Sequence, residues 1–210
     1  FCKSSFTSLD LSGLSILLDC ANGATYSVAP KVFSELGAKV ETIGSSPDGI
    51  NINQNCGSTS PNFLKEEIIK GSYDIGIAFD GDGDRILIVT SDGEILDGDD
   101  ILYILSNKLT AESGVVGTLM TNKALELHFQ KNNISFTRAD VGDKYVLHKL
   151  IEKSWLLGGE PSGHIICLDS APTGDAIIAA LKILDSIKDQ NFSLDKSLED
   201  FQKFPQTLIN

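Results

Sequence analysis

The chain has 210 residues, of which 41% are hydrophobic and 22% charged, and a formal net charge of −12 at neutral pH. That acidity argues against nucleic acid or an anionic membrane as a partner, since either repels the protein at long range. A phosphorylated small ligand stays open, because a local cation or a helix N-terminus can hold it. The length allows one large or two ordinary domains, with a core that needs no covalent staple.

Strand and helix signals alternate from the start. LSILLD (14–19) reads as a short apolar strand, followed by the turn-rich CANGAT. YSVAPKVFSELG (26–37) reads as a helix stopped at Gly37, a position suited to a left-handed C-cap. AKVETIG (38–44) is a second strand, and the Gly-, Ser-, Asn- and Pro-rich residues 44–62 are a long loop. NFLKEEIIKG (62–71) is a short helix. The strand DIGIAF (74–79) runs into three aspartates, then RILIV (85–89) and the turn TSDGE, which closes a hairpin.

The second half repeats this order. DGDDILYILSNKLT (97–110) is a helix with acids in its first turn, where the dipole favours them. VVGTL, ISFTRA and the segment after GHI read as strands; NKALELHFQKN, GDKYVLHKLIEKS and TGDAIIAALKILDSIKD have helical periodicity. SLDKSLEDFQKF (193–204) reads as a last helix leading into a linker. Such alternation predicts an α/β protein of two successive three-layer α/β/α domains with mixed sheets, residues 1–97 and 98–204, with 205–210 beginning a linker.

Cys2, Cys20, Cys56 and Cys167 are scattered without zinc-like spacing, which fits free thiols in a reducing cytoplasm. No apolar run reaches the ~20 residues of a membrane span, and no basic-then-apolar leader opens the chain. The chain begins at Phe1, has Met120 as its only methionine and stops in an extended-looking FPQTLIN; we read it as a piece of a longer protein.

IAFDGDGDRILIV (77–89) raises the chemical question. Alternate residues of extended backbone point one way, so Asp80, Asp82 and Asp84 aim at a common point, and Gly81 and Gly83 let the loop curl around it. Three converging carboxylates suit a hard divalent cation, Mg²⁺ above others, which keeps other oxygen ligands such as a substrate phosphate. Arg85 follows with a planar fork of donors for that phosphate. An EF-hand loop begins with the same spacing but needs Gly sixth and Glu twelfth, where Arg85 and Ser91 stand. A phosphatase-type aspartyl nucleophile usually has Thr or Val in place of Asp84. An acidic turn facing solvent is the plainest alternative; against it, loops at strand ends are where α/β sheets hold ligands.

LLGGEPSGHIICLD is the second informative stretch, with Glu160, Ser162 and His164 alternating between glycines. A carboxylate and a hydroxyl facing one way can hold sugar hydroxyls. His164 can move protons near neutral pH, or can simply be a hydrogen-bonded structural histidine.

DGDGDR followed by GEPSGH resembles the α-D-phosphohexomutase family. LLDCANGAT, GININ, GTLMTN, VGDKYV, TGDAI and FPQ extend the resemblance over essentially the whole chain, closest to members acting on phosphorylated amino sugars. Lys144, Pro161 and Ala176 stand where related sequences more often have Arg, then Gln, Asn or Met, and then Gly. The family has four domains, and this chain resembles the central two. The resemblance implies that Asp80, Asp82 and Asp84 ligate Mg²⁺, completed by a phosphoserine oxygen of the first domain. Arg85 would sit beside that phosphate, and Glu160, Ser162 and His164 would line the sugar pocket, with Arg85 and His164 the catalytic pair. It implies interconversion of glucosamine 6-phosphate and glucosamine 1-phosphate through a bisphosphate, feeding cell-wall precursor synthesis. The alternatives are a mannose or glucose phosphate mutase, or a non-catalytic module binding sugar phosphate and divalent cation. Without the first and fourth domains the chain is expected to be inactive alone.

Overall fold

The computed structural model describes residues 5–109 and 113–207. The first half contains β1 (Ser15–Asp19), α1 (Ala29–Glu35), β2 (Lys39–Ile43), α2 (Asn62–Lys70), β3 (Ile75–Phe79), β4 (Ile86–Thr90) and β5 (Ile95–Leu96). After α3 (Gly98–Ser106) come β6 (Gly114–Thr118), α4 (Lys123–Lys131), β7 (Ser135–Ala139), α5 (Asp143–Lys153), β8 (Leu157–Gly159) and β9 (Ile165–Cys167). The helices α6 (Ala176–Ile187) and α7 (Leu194–Leu198) close the chain. No helix among the described residues is long and apolar enough to cross a membrane.

The strands form two mixed sheets of kindred topology, ordered β2-β1-β3-β4-β5 and β7-β6-β8-β9. In the first, β1 runs parallel to β2 and β3, and β4 turns back antiparallel to β3. In the second, β6 runs parallel to β7 and β8, and β9 turns back antiparallel to β8. The aspartate loop joins β3 to β4, and the Glu160 loop joins β8 to β9. Both informative stretches therefore occupy the same place in their units, at the carboxyl ends of parallel strands.

Side-chain alternation sorts each strand between two faces. Ile75, Ile77 and Phe79 of β3, Ile86 and Ile88 of β4, Val115 of β6 and Ile165 of β9 enter one large core with residues of α1, α3, α4 and α6. Leu17, Ala78, Leu87 and Val89 face the other way onto Leu64 and Ile68 of α2. Val116 and Ile166 likewise meet Val146 and Leu150 of α5. Each sheet has helices on both faces, as predicted, and the large core runs through both units. Cys20, Cys56 and Cys167 are buried free thiols; Cys2, Thr110 and residues 208–210 lie outside the described residues.

Two elements differ from expectation. Residues 26–37 divide into a 3₁₀ turn (Ala24–Ser27) and α1, with Pro30 in the first helical turn, where a missing N–H costs nothing. Gly37 has the expected positive φ, +104°. The predicted helix over 193–204 is only α7, five residues long. Tertiary contacts take the rest: Phe201 stacks on Tyr103 at 4.4 Å between ring centroids, and Lys203 pairs with Asp97 and Asp100.

Candidate functional site

The three aspartates converge, but by a different route from plain alternation. The loop curls back on itself, with Gly83 at φ +79°. Asp80 Oδ1 accepts the main-chain N–H groups of Gly83 (3.1 Å), Asp84 (3.1 Å) and Arg85 (3.0 Å). One carboxylate thus shapes the loop while its other oxygen stays available. One oxygen from each of Asp80, Asp82 and Asp84 lies within 4.8 Å of the others, a spacing that a single hard cation can span. Asp84 Oδ1 is buried with no hydrogen-bond partner. An orphaned, water-excluded carboxylate oxygen is costly unless a cation completes it, so the donor set fits a metal ion.

The surroundings hold this curl in place. Gly81 O accepts the N–H of Ala24 (2.8 Å), and a Cβ on Gly23 would lie 2.2 Å from Gly81 O. Asp19, at the end of β1, braces the neighbouring turns by accepting from Ala21 N (3.0 Å) and Gly57 N (2.6 Å). Burial raises the Asp19 carboxyl above its ordinary range and pushes the Cys20 thiol up to about 12, leaving it an inert packing group.

In the second loop, Glu160 N donates to His164 O (3.1 Å) and Gly163 N to Glu160 O (3.0 Å). Glu160 Oε1 accepts Gly142 N at 2.8 Å, tying the loop to the start of α5. One Glu160 oxygen is therefore committed to the protein. Ser162 is exposed at the loop tip.

Main-chain bonds join the two loops into a seam. Arg85 and His164 form an antiparallel β-bridge, and Ile86 N donates to Gly163 O (3.1 Å). Ala176 N, at the start of α6, donates to Gly83 O (3.0 Å). His164 is 4% exposed; its Nδ1 lies 3.2 Å from Asp84 Oδ2, and a Cβ on Gly174 would stand 2.3 Å from its Nε2. His164 thus reaches the aspartates more directly than the open pocket. The half-exposed Arg85 places Nε 3.9 Å from Asp80 Oδ2 and 4.0 Å from Asp84 Oδ1.

A cavity of about 500 Å³ collects Asp84, Arg85, Glu160, Ser162 and His164. Asp80 and Asp82 are not among its lining residues and adjoin it through Asp84. The opposite wall contains Thr118, Met120, Val141, Gly142 and Asp143, from the carboxyl ends of β6 and β7. GTLMTN and VGDKYV contributed to the resemblance, but their part in the wall was not evident from spacing. Lys144 lies over the Tyr145 ring, 4.7 Å from its centroid. A larger cavity of about 740 Å³ elsewhere contains Lys108, Lys182, Asp169 and Asp185, whose charges pair with one another.

Two α/β/α units whose acceptor-rich loops meet at strand ends define a layered α/β protein with a ligand cleft at the sheet edge. Comparison with known families narrows this class. Residues 2–93 match the family model described as phosphoglucomutase/phosphomannomutase, alpha/beta/alpha domain II, and residues 97–204 match that for domain III. The chain belongs to the phosphoglucomutase/phosphomannomutase family. Curated relatives include the phosphoglucosamine mutases of Acinetobacter baumannii and Pseudomonas entomophila, each 53% identical over 100% of this chain and 48% of their own length. The chain spans about half the length of these relatives. Among solved structures, a phosphoglucomutase/phosphomannomutase family protein from Burkholderia thailandensis has a TM-score of 0.80 at 24% identity, covering 90% of this chain and 43% of its own. Aspergillus fumigatus N-acetylphosphoglucosamine mutase, solved with GlcNAc-6P and magnesium, has a TM-score of 0.74 at 19% identity, covering 97% and 52%. At such identities the structural likeness is one of fold.

Proposed function

We propose that this chain supplies the two central domains, residues 1–97 and 98–204, of a cytoplasmic phosphoglucosamine mutase. Its reaction interconverts glucosamine 6-phosphate and glucosamine 1-phosphate through a phosphoserine and a bisphosphate intermediate, for cell-wall precursor synthesis. The observation that carries this reading is the meeting of the DGDGDR and GEPSGH loops on one cavity, in a chain 53% identical to phosphoglucosamine mutases.

Asp80, Asp82 and Asp84 hold Mg²⁺. A bound Mg²⁺ supplies neutralisation of the charge on the transferring phosphoryl group. Arg85 presents its guanidinium to the same phosphate. The free oxygen of Glu160 and the hydroxyl of Ser162 hold ring hydroxyls, while His164 closes the pocket floor and keeps Asp84 oriented. Gripping the middle of the sugar lets one pocket serve both orientations of a bisphosphate. Catalysis then rests on positioning and charge compensation.

Turnover by the full-length protein with Mg²⁺, on glucosamine 6-phosphate against mannose and glucose 6-phosphates, tests this. Preference for the amino sugar is expected. Preference for a neutral sugar transfers the site to a phosphomannomutase or phosphoglucomutase, and no turnover on any of them leaves a binding module. Asp82 is the exposed ligand of the trio, so Asp82→Asn should leave the fold intact by circular dichroism. It should weaken Mg²⁺ binding roughly tenfold or more by calorimetry; unchanged binding would sink the metal assignment.

A further inference from the structure

The cavity has two walls from distant parts of the chain. One is the Glu160–His164 loop, seated on the start of α3 by Gly98 N donating to Pro161 O (3.1 Å). The other is the turn after β6, where Thr118 and Met120 line the cavity. Residues Lys203–Gln206 lie across the supports of both.

Lys203 Nζ lies 2.8 Å from Asp97 Oδ2 and 2.6 Å from Asp100 Oδ2, on either side of Gly98. Phe204 pairs through both main-chain groups with one side chain: its N–H donates to Asn122 Oδ1 (3.1 Å) and its carbonyl accepts from Asn122 Nδ2 (2.9 Å). Gln206 Oε1 accepts from the same Nδ2 (3.0 Å), and Gln206 Nε2 donates to Met120 O (3.3 Å). Asn122 N donates to Asp99 Oδ2 (2.8 Å), so the two supports also touch directly. Asn122 and Asp99 are each 1% exposed, and hydrogen bonds made out of water are expensive to leave unmade.

Helix termination does not require this arrangement. Asp97 Oδ1 caps α3 by accepting from Asp99 N and Asp100 N, and Asp100 answers by accepting Asp97 N. Asn122 Oδ1 caps α4 through Ala124 N. Neither Lys203 nor Gln206 takes part in the hydrogen bonds of either cap to the helix N–H groups, and neither of those residues lines the cavity. What Lys203 and Gln206 add is a tie between the walls, and the tie gives the FPQ stretch a physical role.

We propose that Lys203–Gln206 form a clasp that sets the separation of the two pocket walls, with Lys203 and Gln206 as positioning residues that act through Asp97, Asp100, Asn122 and Met120. The ligand consequence rests on the reading of this cavity as the sugar site; the mechanical consequence does not.

The test uses the full-length protein with Lys203→Ala, Gln206→Ala, the double variant and Lys203→Arg. Hydrogen exchange in residues 117–122 and 160–164 should rise about tenfold in the double variant, since local opening becomes easier. KM for the sugar phosphate should rise roughly fivefold while kcat stays within about twofold, as expected when ground-state and transition-state binding are lost alike. Mg²⁺ affinity should hold, and Lys203→Arg should restore wild-type behaviour. Faster exchange confined to residues 201–207, with KM unchanged, would overturn the clasp. A wild-type protein without turnover would overturn the proposed function instead, and exchange alone then decides the clasp.

Discussion

Asp99 shows how one buried carboxyl can set a pH response. Burial lifts its pKa to about 7, opposed by the Asn122 N–H and by Lys203, and reinforced by Asp97 and Asp100. Asp100, also buried, is raised to about 6. A carboxyl raised above its unfolded value favours the fold while protonated, so this contribution is complete near pH 4 and is lost as pH climbs through about 7. Asp99→Asn should therefore stabilise the protein at pH 8 by roughly 2–4 kcal/mol, at about 1.4 kcal/mol per pKa unit, and do little at pH 4. Thermal melts of both proteins at the two pH values check this; equal gains at both would remove titration as the cause. In the sequence Asp99 reads only as a first-turn acid favoured by the helix dipole. Its burial comes from the turn at Asn122 and the strap at Lys203, which local pattern does not encode. The trio at Asp80, Asp82 and Asp84 was legible because its whole geometry lies within one loop, although the carboxylate-centred curl differs from simple alternation. The approach of His164 to Asp84 joins two loops of different sheets and was not legible.

Among the elements, the two site loops depend on glycines that face them from elsewhere. A Cβ on Gly98 would lie 1.9 Å from Glu160 O, and one on Gly23 2.2 Å from Gly81 O. Neither contact can be relieved by rotating a side chain, because backbone stands on the other side. Gly98→Ala should cost about 1–3 kcal/mol by overpacking and, on the proposed function, raise KM for the sugar phosphate of the full-length protein without changing its Mg²⁺ affinity. Gly23→Ala should do the reverse, weakening Mg²⁺ binding with little effect on KM. Calorimetry and steady-state kinetics on the pair distinguish these outcomes, and identical profiles would mean the loops do not act separately. Most strands and helices were readable from alternation and periodicity, since each buries one face. The 193–204 segment misled because its helical period is real through Leu198, after which Tyr103, Asn122 and the acids of α3 capture the chain.

At the scale of the whole molecule, the shared core decides how the protein should unfold. Residues of β1, β3 and β4 pack into the same apolar cluster as those of β6, β8 and β9. Thermal unfolding of the 210-residue chain should then be one transition. Trp155, the only tryptophan, packs against the cluster beneath α5, so its fluorescence follows the second unit while far-ultraviolet dichroism follows both. Coincident midpoints are expected; separate midpoints would show two independently stable units. The division into two α/β units was apparent in the order of elements. Their common core was not, because an apolar face on a strand or helix does not name its partner. Arg85 and His164 each stand one residue before the returning strand of their unit, so the bridge between them joins corresponding positions. The pairing is local to the bridge, because the loops that lead into it differ: six residues, 80–85, curl around the Asp80 carboxylate on one side, and five, 160–164, stand on the other. Each half of the cleft can therefore change its loop, in length as well as in side chains, while the bridge that aligns the halves is kept.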